Sequence, residues 1–231
     1  MGTSLNSFVY DVLSTIEGAS RLSDDIEISN EQIEYLACNN RAFLIRQDQN
    51  KGRSLSDNVI QVLSCVEVIE VDASECCDIQ TECHILRTKN RIPRPIEVHQ
   101  KDLIVRVAGI DMLGKGWSIV PYARAIRSGI SKHTKNTTRA FFHNGYVYII
   151  NAPVGIKKIS ISLVAEDPRE AGQFANCSGN PCYTNDDSFP ISNHMLPLLK
   201  DLVLKDLKIM VSVPSDQRGN ESQKTQPQTE N

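Results

Sequence analysis

The sequence predicts an α+β fold: N-terminal helices, a mainly antiparallel β-rich middle with an Asn-Gly hairpin, and a C-terminal helix followed by a polar tail. Three observations carry this. Apolar residues recur at helical spacing up to about residue 48. β-branched stretches and one strong hairpin signal occupy the chain from residue 59 onward. Helical spacing then returns after Ser192.

Leu5, Phe8, Val9, Val12, Leu13 and Ile16 mark a first amphipathic helix that ends at Gly18. Residues 19–27 read as a polar loop with an acidic tip at Asp24 and Asp25. Ser29 stands three before Gln32, the spacing of a capping box, and predicts a helix over about 30–48 that stops near Lys51-Gly52. Ile33, Leu36, Ala37, Asn40 and Leu44 form its inner face with Phe43 beside it, and Arg41, Arg46 and Asp48 are placed on its outer face.

Val62, Val66, Val68, Ile69 and Val71 predict a strand, with shorter ones at His84–Thr88 and Leu103–Val107. Arg91-Ile92-Pro93-Arg94-Pro95 is excluded from a central strand, because two prolines remove ladder donors; it reads as a stiff crossing or an edge. Phe141 to Ile149 is the sharpest local signal. Asn144-Gly145 supplies the positive φ of a type I′ turn between aromatic and β-branched arms. Lys158–Ala165 follows as a half-buried strand, and 172–190 as loop. Ser192 is placed as cap of a last helix to about 208, with Pro197 a bend near its first turn. Beyond Pro214 no apolar side chain remains, so that segment is expected to lack structure unless a partner orders it. The organisation predicted is a helical region at 1–58, a β-rich region at 59–190, a helix at 191–210 packing on the same domain, and a tail at 211–231.

The 231 residues carry 25 Lys and Arg against 28 Asp and Glu, a net −3, with 40% apolar residues. A chain of this size can bury a core without disulfides. No apolar run reaches the roughly 20 residues of a membrane span, and no basic patch precedes an apolar core near the start. Neither a membrane protein nor a Sec-exported one is expected. Charge is segregated: residues 61–86 hold six acids and no Lys or Arg, whereas 87–139 hold twelve Lys and Arg against three acids. Such a chain can complement itself within the fold or between copies.

The usual enzyme flags are missing: there is no P-loop, dinucleotide fingerprint, His-Glu-x-x-His or nucleophile elbow. Seven cysteines, an odd number with an adjacent pair, predict mostly reduced thiols. Cys76, Cys77, Cys83 and His84, completed by Cys177 and Cys182, are the candidate zinc set. Its spacing is poor, since adjacent cysteines rarely hold one ion, and small buried hydrophobes are the plainer reading. A Cys177–Cys182 disulfide is a lesser alternative. No cofactor and no catalytic residue is expected. The basic residues Arg87, Arg91, Arg94, Arg124, Arg127, Lys132, Lys135 and Arg139 and the acidic Glu67, Glu70 and Asp72 are interface candidates, with Arg41 and Arg46. A solubilising face is the bland reading of the basic set, and phosphate contact the third.

Several segments resemble blocks of the head-to-tail ring proteins of crAss-like tailed bacteriophages. They are Ile33-Glu34-Tyr35 with Asn40 to Asp48 and Asn50-Lys51-Gly52; Cys65-Val66-Glu67-Val68 with Val71 to Cys77; Ile92 to Glu97; Lys135 to Thr138; Glu166-Asp167-Pro168-Arg169; and Pro190-Ile191-Ser192. Together they span about residues 28–208. The resemblance implies a non-enzymatic virion protein, made in the cytoplasm of a gut Bacteroidales host. It implies an adaptor ring of about twelve copies below the portal, built through heterologous interfaces. Its implied partners are further copies of itself, the portal protein, adjacent tail ring or barrel proteins and the double-stranded genome passing through the channel, with no membrane. The helix at 30–48 is a candidate for docking on the portal or on a neighbouring copy.

The alternatives are a non-enzymatic DNA-binding protein using the basic 124–139 segment and a small metal-dependent hydrolase with Cys and His ligands. A later ring or a minor capsid component remains open within the virion class.

Overall fold

The computed structural model describes residues 3–19, 28–72, 84–111, 114–125 and 137–211. The expected loop at 19–27, the tail beyond 211, Cys76, Cys77, Cys83, Arg127, Lys132 and Lys135 thus lie wholly or almost wholly outside the described residues. Among those that are described, no helix is long and apolar enough to cross a membrane.

Helix α1 (Leu5–Ala19) and helix α2 (Asn30–Asn50) stand where the apolar spacing puts them. The α2 capping box is complete: Gln32 N donates to Ser29 Oγ at 3.2 Å and Ser29 N donates to Gln32 Oε1 at 3.3 Å. At the other end Lys51 N donates to the Gln47 and Asp48 carbonyls, and Gly52 turns the chain away at φ 73°.

The strands are β1 (Gln61–Asp72), β2 (His84–Thr88), β3 (Glu97–Val98), β4 (Lys101–Asp102), β5 (Ile104–Gly109), β6 (Ser118–Ile119), β7 (Arg139–His143), β8 (Tyr146–Ile150) and β9 (Lys158–Leu163). The short helix α3 (Tyr122–Ala125) lies between β6 and β7, and α4 (Leu196–Val211) closes the described chain. Seven strands form one sheet in the order β5-β9-β1-β2-β8-β7-β6, while β3 and β4 make a separate hairpin. All pairings are antiparallel except β6 with β7. Trp117 N, beside β6, donates to the Val107 carbonyl of β5 at 2.7 Å, so the two edges of the sheet approach each other as a near-barrel.

The β7–β8 turn is formed by Asn144 at φ 51° and Gly145 at φ 85°, as the Asn-Gly pair predicts. Arg91–Pro95 joins no central ladder; Ile92 N donates to the Gly145 carbonyl, and Pro95 bridges Ala165. Ser192 does not cap α4. A 3-10 turn (Asn193–Met195) intervenes, and the Ser192 hydroxyl makes no capping bond. Pro197 sits in the first turn of α4, where a missing N–H costs nothing.

Two apolar cores hold the layers. Leu5, Phe8 and Val12 of α1, Ile33, Ala37 and Ile45 of α2 and Leu199, Val203 and Leu207 of α4 pack together with Ile96 and Phe189. Leu63, Ile149, Ile159, Ile161 and Leu163 fill the interior of the sheet. Each of these side chains larger than alanine contributes about 1.5–3 kcal/mol of burial. Val120, Ala125, Phe141 and Tyr148 form a smaller cluster around α3, β7 and β8.

Candidate functional site

Arg41 is the first correction. It is 0% exposed, not on an outer face. Its position four residues after Ala37 and four before Ile45 puts it on the inward stripe of α2. Nε donates to the Pro190 carbonyl at 2.6 Å, Nη1 to Ala165 at 2.7 Å and Nη2 to Val59 at 3.5 Å, with the Phe189 ring 5.9 Å away. Burial pulls its pKa down to about 10, which leaves the guanidinium protonated at neutral pH. A buried Arg with carbonyl partners from three segments is an internal tie and cannot dock a partner.

The Glu166-Asp167-Pro168-Arg169 segment completes this seam between α2 and the sheet. Arg169 donates to both oxygens of Asp167 and, through Nη1, to Glu34 of α2 at 3.1 Å. Burial pushes Asp167 upward, yet the Arg169 bonds outweigh it and hold the carboxyl below its ordinary value. Cys38 faces the same carboxylate, and burial, with Asp167 adding, drives its thiol up to about 12. Such a thiol is inert rather than nucleophilic. Arg46 pairs with Glu166, and Arg94 Nε lies 3.3 Å from the other oxygen of the same carboxylate. Arg46 and Arg94 are thus already engaged within the chain.

Part of the acidic-to-basic contrast is also spent internally. Lys89 Nζ lies 2.8 Å from Glu67 Oε2, and Lys89 N donates to the Glu67 carbonyl. The bond from Lys89 holds Glu67 below its usual range. Glu70 is exposed and Asp72 half-buried toward the end of β1, where the ladder register sets them opposite Leu86 and His84.

The basic residues of β2 and the following crossing converge on one aromatic side chain. The Arg87 guanidinium lies 4.2 Å from the centre of the Tyr146 ring and that of Arg91 lies 5.7 Å from it. Tyr146 meets Tyr148 edge to face, Tyr148 stacks on Phe141 at 5.0 Å, and Tyr122 of α3 stacks on His143 at 4.2 Å. The β2–β8–β7 register places Arg87, Tyr148 and Phe141 on one face of the sheet, next to the exposed Tyr122. Arg124 is exposed on α3 and Arg139 half-buried on β7.

Tyr35, which the sequence reading assigned to no face, and Phe43, which it set beside the inner one, occupy the true outer face of α2. Tyr35 is 60% exposed and Phe43 is 52% exposed, two turns apart with the exposed Asn39 between them. Their angular position was the signal, since at about 100° per residue both point away from the stripe of Ile33, Ala37 and Leu44.

The cysteines form a different pattern from either expected one. Cys65 and Cys177 are joined in a disulfide that the sequence did not single out, so Cys177 is not paired with Cys182. The bond removes Cys177 from any thiolate set. Cys38 and Cys182 are free thiols, and His84 contributes backbone to β2. Among the described residues no three His, Cys, Asp or Glu side chains are grouped to hold a metal ion.

Internal ties at the seam, engaged charges and the exposed side chains of Tyr35, Phe43 and Tyr122 fit a structural assembly module. The family model described as phage tail ring protein 2 matches residues 7–226, and the chain belongs to that family. It is similar to Ring protein 2 of Bacteroides phage crAss001, at 26% identity over 225 residues, covering 93% of this chain and 95% of the relative. The chain is therefore a non-enzymatic structural ring protein of a crAss-like phage virion.

Proposed function

We propose that this chain forms a closed ring in the head-to-tail connector, joining the portal to the tail and surrounding the channel through which double-stranded DNA leaves. About twelve copies meet through heterologous contacts, in which two unlike faces of each copy mate with its neighbours. The observation that carries this is the presence of two such faces on one subunit. One is the uncharged aromatic stripe of α2 at Tyr35 and Phe43. The other is the cationic sheet face where Arg87 and Arg91 crowd Tyr146. Guanidinium groups and aromatic rings are favoured partners at protein interfaces, and charged α2 positions would have been a poorer match.

Glu70, Asp72, Arg124 and Arg139 are assigned to the rims of these contacts, and Arg127, Lys132 and Lys135, outside the described residues, are assigned to interfaces by charge alone. Strong phosphate binding at every subunit would hinder a sliding duplex, so most of the basic residues belong in interfaces rather than in the channel. Native mass of the full chain, alone and mixed with portal protein, tests the reading. A closed species of about twelve copies is the expected result. A monomer that never joins the portal and binds DNA with a steep salt dependence would overturn it in favour of phosphate binding by the 124–139 segment.

A further inference from the structure

We propose that the Cys65–Cys177 bond is a lock that closes after the particle leaves the host, and that the dithiol is the form in which the ring is assembled. Cys65 lies in an irregularity of β1: the ladder with β9 slips between Leu63 and Val66, leaving Ser64 and Cys65 out of register. Cys177 sits on an exposed turn. Asn176 Oδ1 accepts from Ser178 N and Asn180 N, Gly179 N donates to the Asn176 carbonyl, and Gly179 takes φ 89°. These bonds run within the turn, whereas the disulfide ties its tip to the sheet. The base of the turn is anchored otherwise: Tyr183 is buried in the sheet core, and Phe174 and Cys182 pack against it.

Fold and bond are therefore separable. The two apolar cores do not depend on Cys177, so the chain can fold with both thiols free. Phage proteins are made in a cytoplasm that keeps thiols reduced. The Cα–Cα separation of 5.2 Å across the pair lies within the range a disulfide needs, so closure requires no backbone movement. Outside the cell, the accessible Cys177 thiolate attacks a low-molecular-weight disulfide and releases one small thiol. The Cys65 thiolate then displaces the second small thiol from the mixed disulfide. Two protons and two electrons leave the cysteine pair, and one small disulfide is reduced to two thiols. Closure ties segments 112 residues apart in sequence and secures most of the sheet against opening.

Differential alkylation reads the timing without any variant. Infected cells are opened directly into a light alkylating reagent, while released virions are first held with oxidised glutathione and then alkylated the same way. Both samples are reduced and labelled with the heavy reagent. Light label on Cys65 and Cys177 inside cells, and heavy label on both in released virions, is the expected result. Heavy label on both inside cells, light label on both after release, or a Cys177–Cys182 pair would each overturn the proposal. Thermal unfolding gives the second readout. Reductant lowers the midpoint of the purified oxidised chain by about 10 °C, and Cys177→Ser melts with the reduced wild type and ignores reductant. A Cys177→Ser chain that fails to fold, or a midpoint that reductant leaves in place, would sink the lock.

Discussion

Arg41 ties three segments of this fold together, because its guanidinium donates to the carbonyls of Pro190, Ala165 and Val59. Arg41→Met keeps the volume and removes the donors, so buried acceptors are left unpaired. A loss of about 3–5 kcal/mol is expected in denaturant unfolding. The sequence contained this placement: an arginine spaced four from Ala37 and four from Ile45 belongs to the inward stripe. The general expectation that Arg stays outside overrode the spacing. Asp167 gives a second test at this scale. Its folded carboxyl titrates below its ordinary value, so its contribution is complete above the ordinary aspartate range and is lost as pH falls through the lowered folded value. Wild type should lead Asp167→Asn at neutral pH, with the gap closing on acidification in unfolding curves taken along that range. A gap independent of pH would show that the Arg169 bonds act through geometry alone.

Single elements followed local chemistry closely. The Ser29–Gln32 box starts α2, and Asn144-Gly145 closes the β7–β8 hairpin, both where spacing alone put them. Gly145 has a further constraint, since a Cβ there would stand 3.3 Å from the Cγ and Cδ of Arg91. Gly145→Ala should cost about 1–2 kcal/mol from the positive φ and should also displace Arg91 from Tyr146, visible as a change in tyrosine fluorescence. What could not be read is what depends on meeting across the fold. The parallel β6–β7 pair rests on two residues of β6, Ser118 and Ile119. The Cys65–Cys177 partnership depends on a ladder slip that no periodicity announces. The capping of α4 failed for a local reason, because a 3-10 turn fits between Ser192 and the helix and leaves the hydroxyl with no amide to accept from.

At the scale of the molecule, the two outer strands of the near-barrel approach each other through Trp117 N and the Val107 carbonyl, so the proposed ring would join its copies through side-chain faces rather than by adding strands. The α2 stripe is where this is most easily tested. Phe43→Asp should reduce self-association at least tenfold in native mass or sedimentation, while unfolding of the subunit shifts by no more than about 0.5 kcal/mol. A full-sized ring from Phe43→Asp would remove α2 from the neighbour contact. The Arg41 tie has a mechanical consequence for a subunit of the connector proposed above. Its three bonds reach the linker before β1, the end of β9 and the segment ahead of α4. Any displacement of α2 relative to these three segments stretches all three together. Rupture under load then requires them to fail at once, a parallel linkage, whereas three such bonds arranged in series would peel apart one after another at a far smaller force.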